Sequence, residues 1–230
     1  MLRLALDTST RQGSVALADD GMLLGEAFLS VRATHSETLL CEVERLLEVG
    51  GRRVTDLDAV VVGAGPGSFT GVRIAASVAK GLCFGGRLPL YAYSSLLAVV
   101  EGSGVAESVC AMFDARRGEV YALAVRRLNP RDVALGPVAV PVEAVLEQLG
   151  AVRDWSFVGD GAASYRESIT EAGGFVLPDD LAHPRARILL RLARRWPEEG
   201  RVPVAAEWQP EYVRRWGERP PWPSGSASTE

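Results

Sequence analysis

The 230-residue chain is 47% hydrophobic and 23% charged with a formal net charge of −4, an ordinary composition for one or two packed domains. Two histidines (His35, His183), three scattered cysteines (Cys41, Cys83, Cys110) and a single lysine (Lys80) exclude a His-rich metal site, a zinc ribbon, a disulfide framework and a Walker lysine. No leader and no apolar run of about 18 residues stands out, and the acidic balance disfavours nucleic acid held by bulk charge, so a reducing cytoplasmic setting without a membrane is expected.

Leu2–Leu6 reads as a short strand closing on Asp7-Thr8-Ser9-Thr10. Gly13–Ala18 and Leu23–Val31 read as two more, joined by the hairpin signal Asp19-Asp20-Gly21. Ser36 is expected to cap a helix whose apolar stripe is Leu39, Leu40, Val43, Leu46 and Leu47, ended by Gly50-Gly51. Asp58–Gly63 reads as a buried parallel strand that runs into Gly65-Pro66-Gly67-Ser68-Phe69-Thr70-Gly71 and a helix to about Phe84. Leu88–Tyr93 is a further strand, followed by a short helix from Ser94 or Ser95 to about Val100.

Gly102–Ala106 reads as a lobe boundary, after which the opening pattern returns. Val109–Phe113 is a strand ending in Asp114, Arg116-Arg117-Gly118 a turn, and Glu119–Arg127 and Val133–Val140 two strands. Val142–Leu149 is a helix, Trp155–Val158 a strand entering Gly159-Asp160-Gly161-Ala162, and Ser164–Ala172 a helix. The shared order of elements makes a pseudo-repeat of about half the chain. A helix from about Pro184 to Trp196 closes the fold, and the Pro- and Ser-rich end reads as a disordered tail.

Two features carry candidate chemistry. The glycine loop sets bare amides and the Ser68 and Thr70 hydroxyls at a helix N-terminus, either to face a phosphate or to form a tight turn capped by one of those hydroxyls. It lacks the third glycine of a dinucleotide fingerprint, Ser68 standing there. Asp7 and Asp114, at equivalent points of the repeat, could each hold a metal-bound water beside a phosphate or simply form an Asx turn. The following helix has a face of little bulk, Gly71, Ala75, Ala79 and Cys83, with Val72 and Ala76 beside it, suited either to its own sheet and neighbouring helix or to a partner chain. His35 reads as polar surface. No G-x-S-x-G occurs, which disfavours a serine hydrolase. Arg187, Arg191, Arg194 and Arg195 read as a solvated helix face, with an RNA or acidic-partner contact as the lesser alternative.

Several blocks occur in a telling order: Leu4-Ala5-Leu6-Asp7-Thr8-Ser9, His35-Ser36-Glu37-Thr38-Leu39-Leu40, Gly65-Pro66-Gly67-Ser68-Phe69-Thr70-Gly71-Val72-Arg73-Ile74, Ala79-Lys80-Gly81-Leu82, Asp114-Ala115-Arg116-Arg117-Gly118-Glu119-Val120-Tyr121 and Pro210-Glu211-Tyr212-Val213-Arg214. Over residues 1–215 the chain closely resembles the bacterial TsaB (YeaZ) family. The resemblance implies an α/β, actin-like (sugar kinase/Hsp70/actin) fold in two lobes of duplicated βββαβα topology: residues 1–104 with the dimerisation helices, 105–215, and a tail at 216–230. It implies the non-catalytic subunit of the machinery that makes N6-threonylcarbamoyladenosine in tRNA. Such a subunit pairs with its catalytic paralogue TsaD, is joined by the ATPase TsaE, forms a homodimer when alone and meets tRNA indirectly.

Pairing in that family runs through the first two long helices, so the interface expected here is Leu39, Leu40, Val43, Leu46, Leu47, Gly71, Val72, Ala75, Ala76, Ala79 and Cys83. The resemblance requires no cofactor and leaves room for ATP or ADP at or near that interface, with Asp7, Thr8, Ser9, Gly65, Gly67, Ser68 and Thr70 as the candidate nucleotide or phosphate loops. TsaD-like proteins carry a His-x3-His metal pair where this chain reads Ser94-Ser95-Leu96-Leu97-Ala98-Val99, which points away from catalysis. The rival readings are an ATP-dependent kinase or a glycoprotease-type metallopeptidase of the same fold.

Overall fold

Alternation along Leu2–Asp7 (β1) sends Leu2, Leu4 and Leu6 to one face of a sheet and Ala5 to the other, and that division organises the protein. The computed structural model describes residues 1–30, 35–105, 107–126 and 132–213, with backbone alone at 30 and 35–37. β1 pairs antiparallel with Gln12–Asp19 (β2), which pairs with Met22–Ser30 (β3). On its other side β1 runs parallel to Ala59–Gly63 (β4), reached through helix His35–Val49 (α1). Helix Phe69–Gly86 (α2) then leads to Leu90–Tyr93 (β5), parallel to β4. Every residue of β4 is buried, as a run of branched side chains covered on both faces requires.

Helix Ser95–Gly102 (α3) passes to the second sheet. There Val109–Arg116 (β6) pairs antiparallel with Glu119–Val125 (β7), which pairs with Val133–Pro141 (β8). After helix Val142–Leu149 (α4), Ser156–Val158 (β9) lies parallel to β6; helices Asp160–Ser164 (α5) and Arg166–Glu171 (α6) lead to Phe175–Val176 (β10), parallel to β9. The strand orders β3-β2-β1-β4-β5 and β8-β7-β6-β9-β10 are the same, with the same senses, so the pseudo-repeat is real and the fold is the actin-like α/β architecture.

The chain then returns. Helix Ala186–Arg195 (α7) packs on β1, β2 and β4, and after the short helix Pro197–Gly200 (α8) the strand Arg201–Val202 (β11) adds to the edge of the first sheet beside β5. This corrects the expected boundary: residues 186–202 lie on the sheet of the first lobe, although they fall within 105–215. Leu39, Val43, Leu46 and Leu47 of α1 cover one face of that sheet with Ala75, Ala79 and Cys83 of α2; Ile188, Leu189 and Leu192 of α7 cover the other. α3 is apolar on nearly every side and is correspondingly buried. Its Ala98 joins the core against the first sheet, while Leu96, Val99 and Val100 pack with Val109, Phe113 and Leu123 of the second.

Three sequence expectations shift. The helix expected at Ser164–Ala172 is two short ones, interrupted at Tyr165, whose φ of −111° and ψ of 26° are not helical. The closing helix begins at Ala186, because Arg185 is extended. The cap at Ser36, the side chain of His35, the strand ends Val31 and Arg127 and the tail 216–230 lie outside what is described. Among the described residues no helix is long and apolar enough to cross a membrane.

Leu96 is fully buried between the two sheets. Leu96→Ala is therefore expected to cost about 2–5 kcal/mol in urea unfolding while keeping a single transition, since the helix it loosens serves both sheets.

Candidate functional site

Ser68 caps α2, its Oγ accepting from the Gly71 amide at 3.3 Å. The first turn of the chain lies directly against this loop. The Ser68 amide donates to the Ser9 carbonyl at 2.7 Å; Thr8 Oγ1 donates to the Gly71 carbonyl at 2.6 Å and accepts from the Ala75 amide at 3.2 Å. A Cβ at Gly63 would collide with the Asp7 carboxylate, one at Gly67 with the Ser9 backbone and one at Gly71 with the Thr8 carbonyl. The glycines thus serve close approach of the chain to itself.

Among the loop residues expected to meet a nucleotide, Asp7 is 0% exposed, Thr8 and Ser9 are buried with Gly65, and Gly67 is half-buried. Only Ser68 and Thr70 face solvent. The Asp7-Thr8-Ser9 turn, itself part of that set, packs directly against the glycine loop.

Asp7 sits at the centre. Its Oδ1 accepts from the Ser9 amide at 2.8 Å and from Ser9 Oγ at 2.7 Å, and its Oδ2 accepts from Ser95 Oγ at 2.6 Å. Ser95 Oγ in turn accepts from the Gly65 amide at 3.2 Å. Burial outweighs these bonds and pushes the Asp7 carboxyl above the ordinary carboxylate range. Asp114 repeats the Asx turn, its Oδ1 accepting from the Arg116 amide at 2.8 Å, while the Asp114 amide donates to Asp160 Oδ1 at 3.2 Å.

His183 Nδ1 lies 3.1 Å from Thr10 Oγ1. Burial lowers its affinity for a proton, against the pull of the Asp160 and Asp7 charges. Asp160 is raised, chiefly by burial. Sequence reasoning missed both His183 and Asp160 here; the signal was Gly159-Asp160-Gly161, the second-lobe counterpart of the glycine loop. No group of three or more His, Cys, Asp or Glu side chains among the described residues is arranged to hold a metal ion.

The expected interface needs a larger correction. Leu39, Val43, Leu46, Leu47, Gly71, Val72, Ala75, Ala76, Ala79 and Cys83 are all buried within this chain. The low-bulk face of α2 lets the helix lie close to its own sheet and to the Thr8 turn, and the α1 stripe seals the core beside it. Burial also pushes the Cys83 thiol up to about 11. Of that set only Leu40 is exposed, at 46%. The outer face of α2 carries Arg73, Ser77, Gly81 and Phe84, the last 87% exposed.

Two distant motifs meet on this helix. Arg73 Nε donates to Tyr212 Oη at 3.0 Å, its guanidinium lies 3.8 Å from the centre of the Phe69 ring, and the Glu211 amide donates to the Ala64 carbonyl at 2.8 Å. Lys80 Nζ donates to the Ala206 carbonyl at 3.0 Å. The segment 206–212 is therefore a strap along α2, unforeseen because nothing in either motif names the other. The arginines of α7 are likewise not merely solvated: Arg187 pairs with Glu26, and Arg191 and Arg195 with Glu101.

Residues 29–211 match the family described as TsaD: tRNA N6-adenosine threonylcarbamoyltransferase. The tRNA threonylcarbamoyladenosine biosynthesis protein TsaB of Escherichia coli is 33% identical over 218 residues, covering 92% of this chain and 94% of that protein. The chain belongs to the TsaB family. YeaZ from Pseudomonas aeruginosa superposes with a TM-score of 0.78 at 33% identity, covering 92% of this chain and 99% of that one. The activator of 2-hydroxyisocaproyl-CoA dehydratase from Clostridium difficile, solved with bound ADPNP, shares the fold at 12% identity and a TM-score of 0.50, over 86% of this chain and 98% of its own. As a TsaB-family protein the chain is a non-catalytic partner protein of the tRNA threonylcarbamoyladenosine pathway, and the kinase and peptidase readings fall away.

The folded chain holds the Asp7 proton to higher pH than the unfolded chain does. That contribution to stability is whole below about pH 4 and is lost as pH rises through the raised value. Asp7→Asn is expected to flatten the fall in urea midpoint as pH rises above about 4, leaving the slope due to Asp160 and Glu211, which burial also raises, set against the opposite slope of His183, whose proton affinity burial lowers.

Proposed function

We propose that this chain is the dimerisation and activating subunit of the complex that makes N6-threonylcarbamoyladenosine at position 37 of tRNA. It pairs with a TsaD-type protein, recruits a TsaE-type ATPase, pairs with itself when alone and meets tRNA only indirectly. Family membership supports the role, and one observation supports its location. On α2, Phe84 stands 87% exposed between Gly81 and Gly85, and nothing lies within 4 Å of where a Cβ on either glycine would be. A large apolar side chain flanked by bare backbone lets another helix approach closely and bury the ring.

Leu40 and Val49 on α1 are exposed apolar residues on the neighbouring helix. The contact surface in this reading is therefore the outward side of α1 and α2, while the buried stripe of Leu39, Val43, Leu46, Leu47, Ala75 and Ala79 holds the two helices to their sheet. The first sheet with its covering helices is the pairing lobe, and the second supports it. The role requires no cofactor. ATP or ADP, where it enters the complex, binds at or near the partner interface.

Phe84→Glu is expected to weaken co-elution with the TsaD-type partner at least tenfold, to abolish stimulation of tRNA modification in a reconstituted assay, and to leave the stability of the isolated chain within about 0.5 kcal/mol. Undiminished co-elution and modification would remove the outer face of α2 from the interface.

A further inference from the structure

The arginines of α7 gather around a cavity that the pairing role does not use. Arg187, Arg191 and Arg194, at i, i+4 and i+7, project from one side of the helix and are joined across the cavity by Arg3 of β1. Ala18 of β2 and Ile188 supply an apolar lining. The volume is about 320 Å³, within the range of small-ligand sites. The guanidinium of Arg194 lies over Gly21, in the turn between β2 and β3.

The charges here do not balance. Glu26 holds two arginines, Arg185 at 3.2 Å and Arg187 at 3.6 Å; Glu101 holds two more, Arg191 at 3.2 Å and Arg195 at 3.4 Å. Arg3 and Arg194 make no ion pair among the described residues, the Nε of Arg3 reaching only the Met1 sulfur at 3.0 Å. Asp19 and Asp20 of the adjoining turn are taken by Arg52 and the first amino group. Four of the lining side chains are arginine and one is the Glu101 carboxylate, an excess of three positive charges on the cavity wall that Glu26, paired with Arg187, offsets in part, on a chain whose formal net charge is −4. Such an excess in a concave, partly apolar site favours a ligand with more than one negative charge, and planar guanidinium forks match phosphate oxygens.

We propose that this cavity binds a phosphate-bearing ligand, its phosphate held by Arg3 and Arg194 and its compact apolar part resting on Ala18 and Ile188. The phosphate belongs either to a free small ester or to the backbone of an RNA strand. Titration calorimetry on the full chain in about 50 mM salt, with phenyl phosphate, succinate and a single-stranded RNA of about 12 nucleotides, separates these sources. Phenyl phosphate is expected to bind saturably with Kd below about 1 mM and to weaken at least threefold in about 200 mM salt. Arg3→Gln combined with Arg194→Gln is expected to weaken it at least tenfold. Leu23→Glu, which sets a competing carboxylate on an exposed lining residue, is expected to do the same without removing an arginine and serves as the test should the double variant fail to fold.

RNA binding that is tighter than phenyl phosphate and lost in the same variants identifies the strand as the source and overturns the indirect meeting with tRNA proposed above; RNA binding no tighter identifies the free ester. Absence of saturable binding by both, succinate binding more tightly than phenyl phosphate, or affinity unchanged in Leu23→Glu and in the folded double variant overturns the proposal.

Discussion

A carboxylate withdrawn from water holds this fold at its centre. Asp7 ends the first strand, where β1 must turn back towards β2, and it has given up all contact with solvent. An isolated buried charge is very costly, so the surroundings must answer each oxygen. Ser9 answers one from within the turn, and Ser95 answers the other from the start of α3. Because Ser95 also accepts from Gly65, one side chain fastens the first strand, the glycine loop and the helix between the sheets. The missing side chains at Gly63, Gly67 and Gly71 follow from that fastening, since each would intrude on the turn. The glycines of the loop thus serve the close approach of a neighbouring stretch of the same chain.

Much of this arrangement was legible. The short run closing on Asp7 located β1, the Asp19-Asp20-Gly21 hairpin signal marked the end of β2, the glycine loop with its two candidate capping hydroxyls marked the approach to α2, and the matching positions of Asp7 and Asp114 revealed the duplication that the two sheets then display. What periodicity cannot say is what a face packs against. Gly71, Ala75, Ala79 and Cys83 announce close approach, and the sequence is equally content with a partner helix or with its own sheet; only the tertiary fold decides, and it buries them. The exposed residue that breaks the pattern, Phe84, was the better pointer to the surface. The pairing of Arg191 and Arg195 with Glu101 was illegible for a related reason: 90 residues separate Arg191 from its partner, and no local rule joins them.

The actin-like frame supplies two sheets of the same strand order and two equivalent aspartates. In the first lobe hydroxyls and amides close over the aspartate, and the strap at 206–212 lies along the helix that follows.

The late return of α7 and β11 also sets the order in which the molecule can be made. Ala5, Ala16 and Val61 on one face of the first sheet are covered by residues 186–193 together with Ala98 of α3. Until residues 186–193 emerge from the ribosome, the earliest strands hold an apolar face covered by α3 alone, and the second sheet is fully synthesised before the first is complete. The two sheets are consequently not successive folding units despite their shared plan. The nascent chain must keep its N-terminal half soluble while its C-terminal half is still being added, and a chain stopped at the boundary near Gly104 would be left with one face of its sheet incompletely covered.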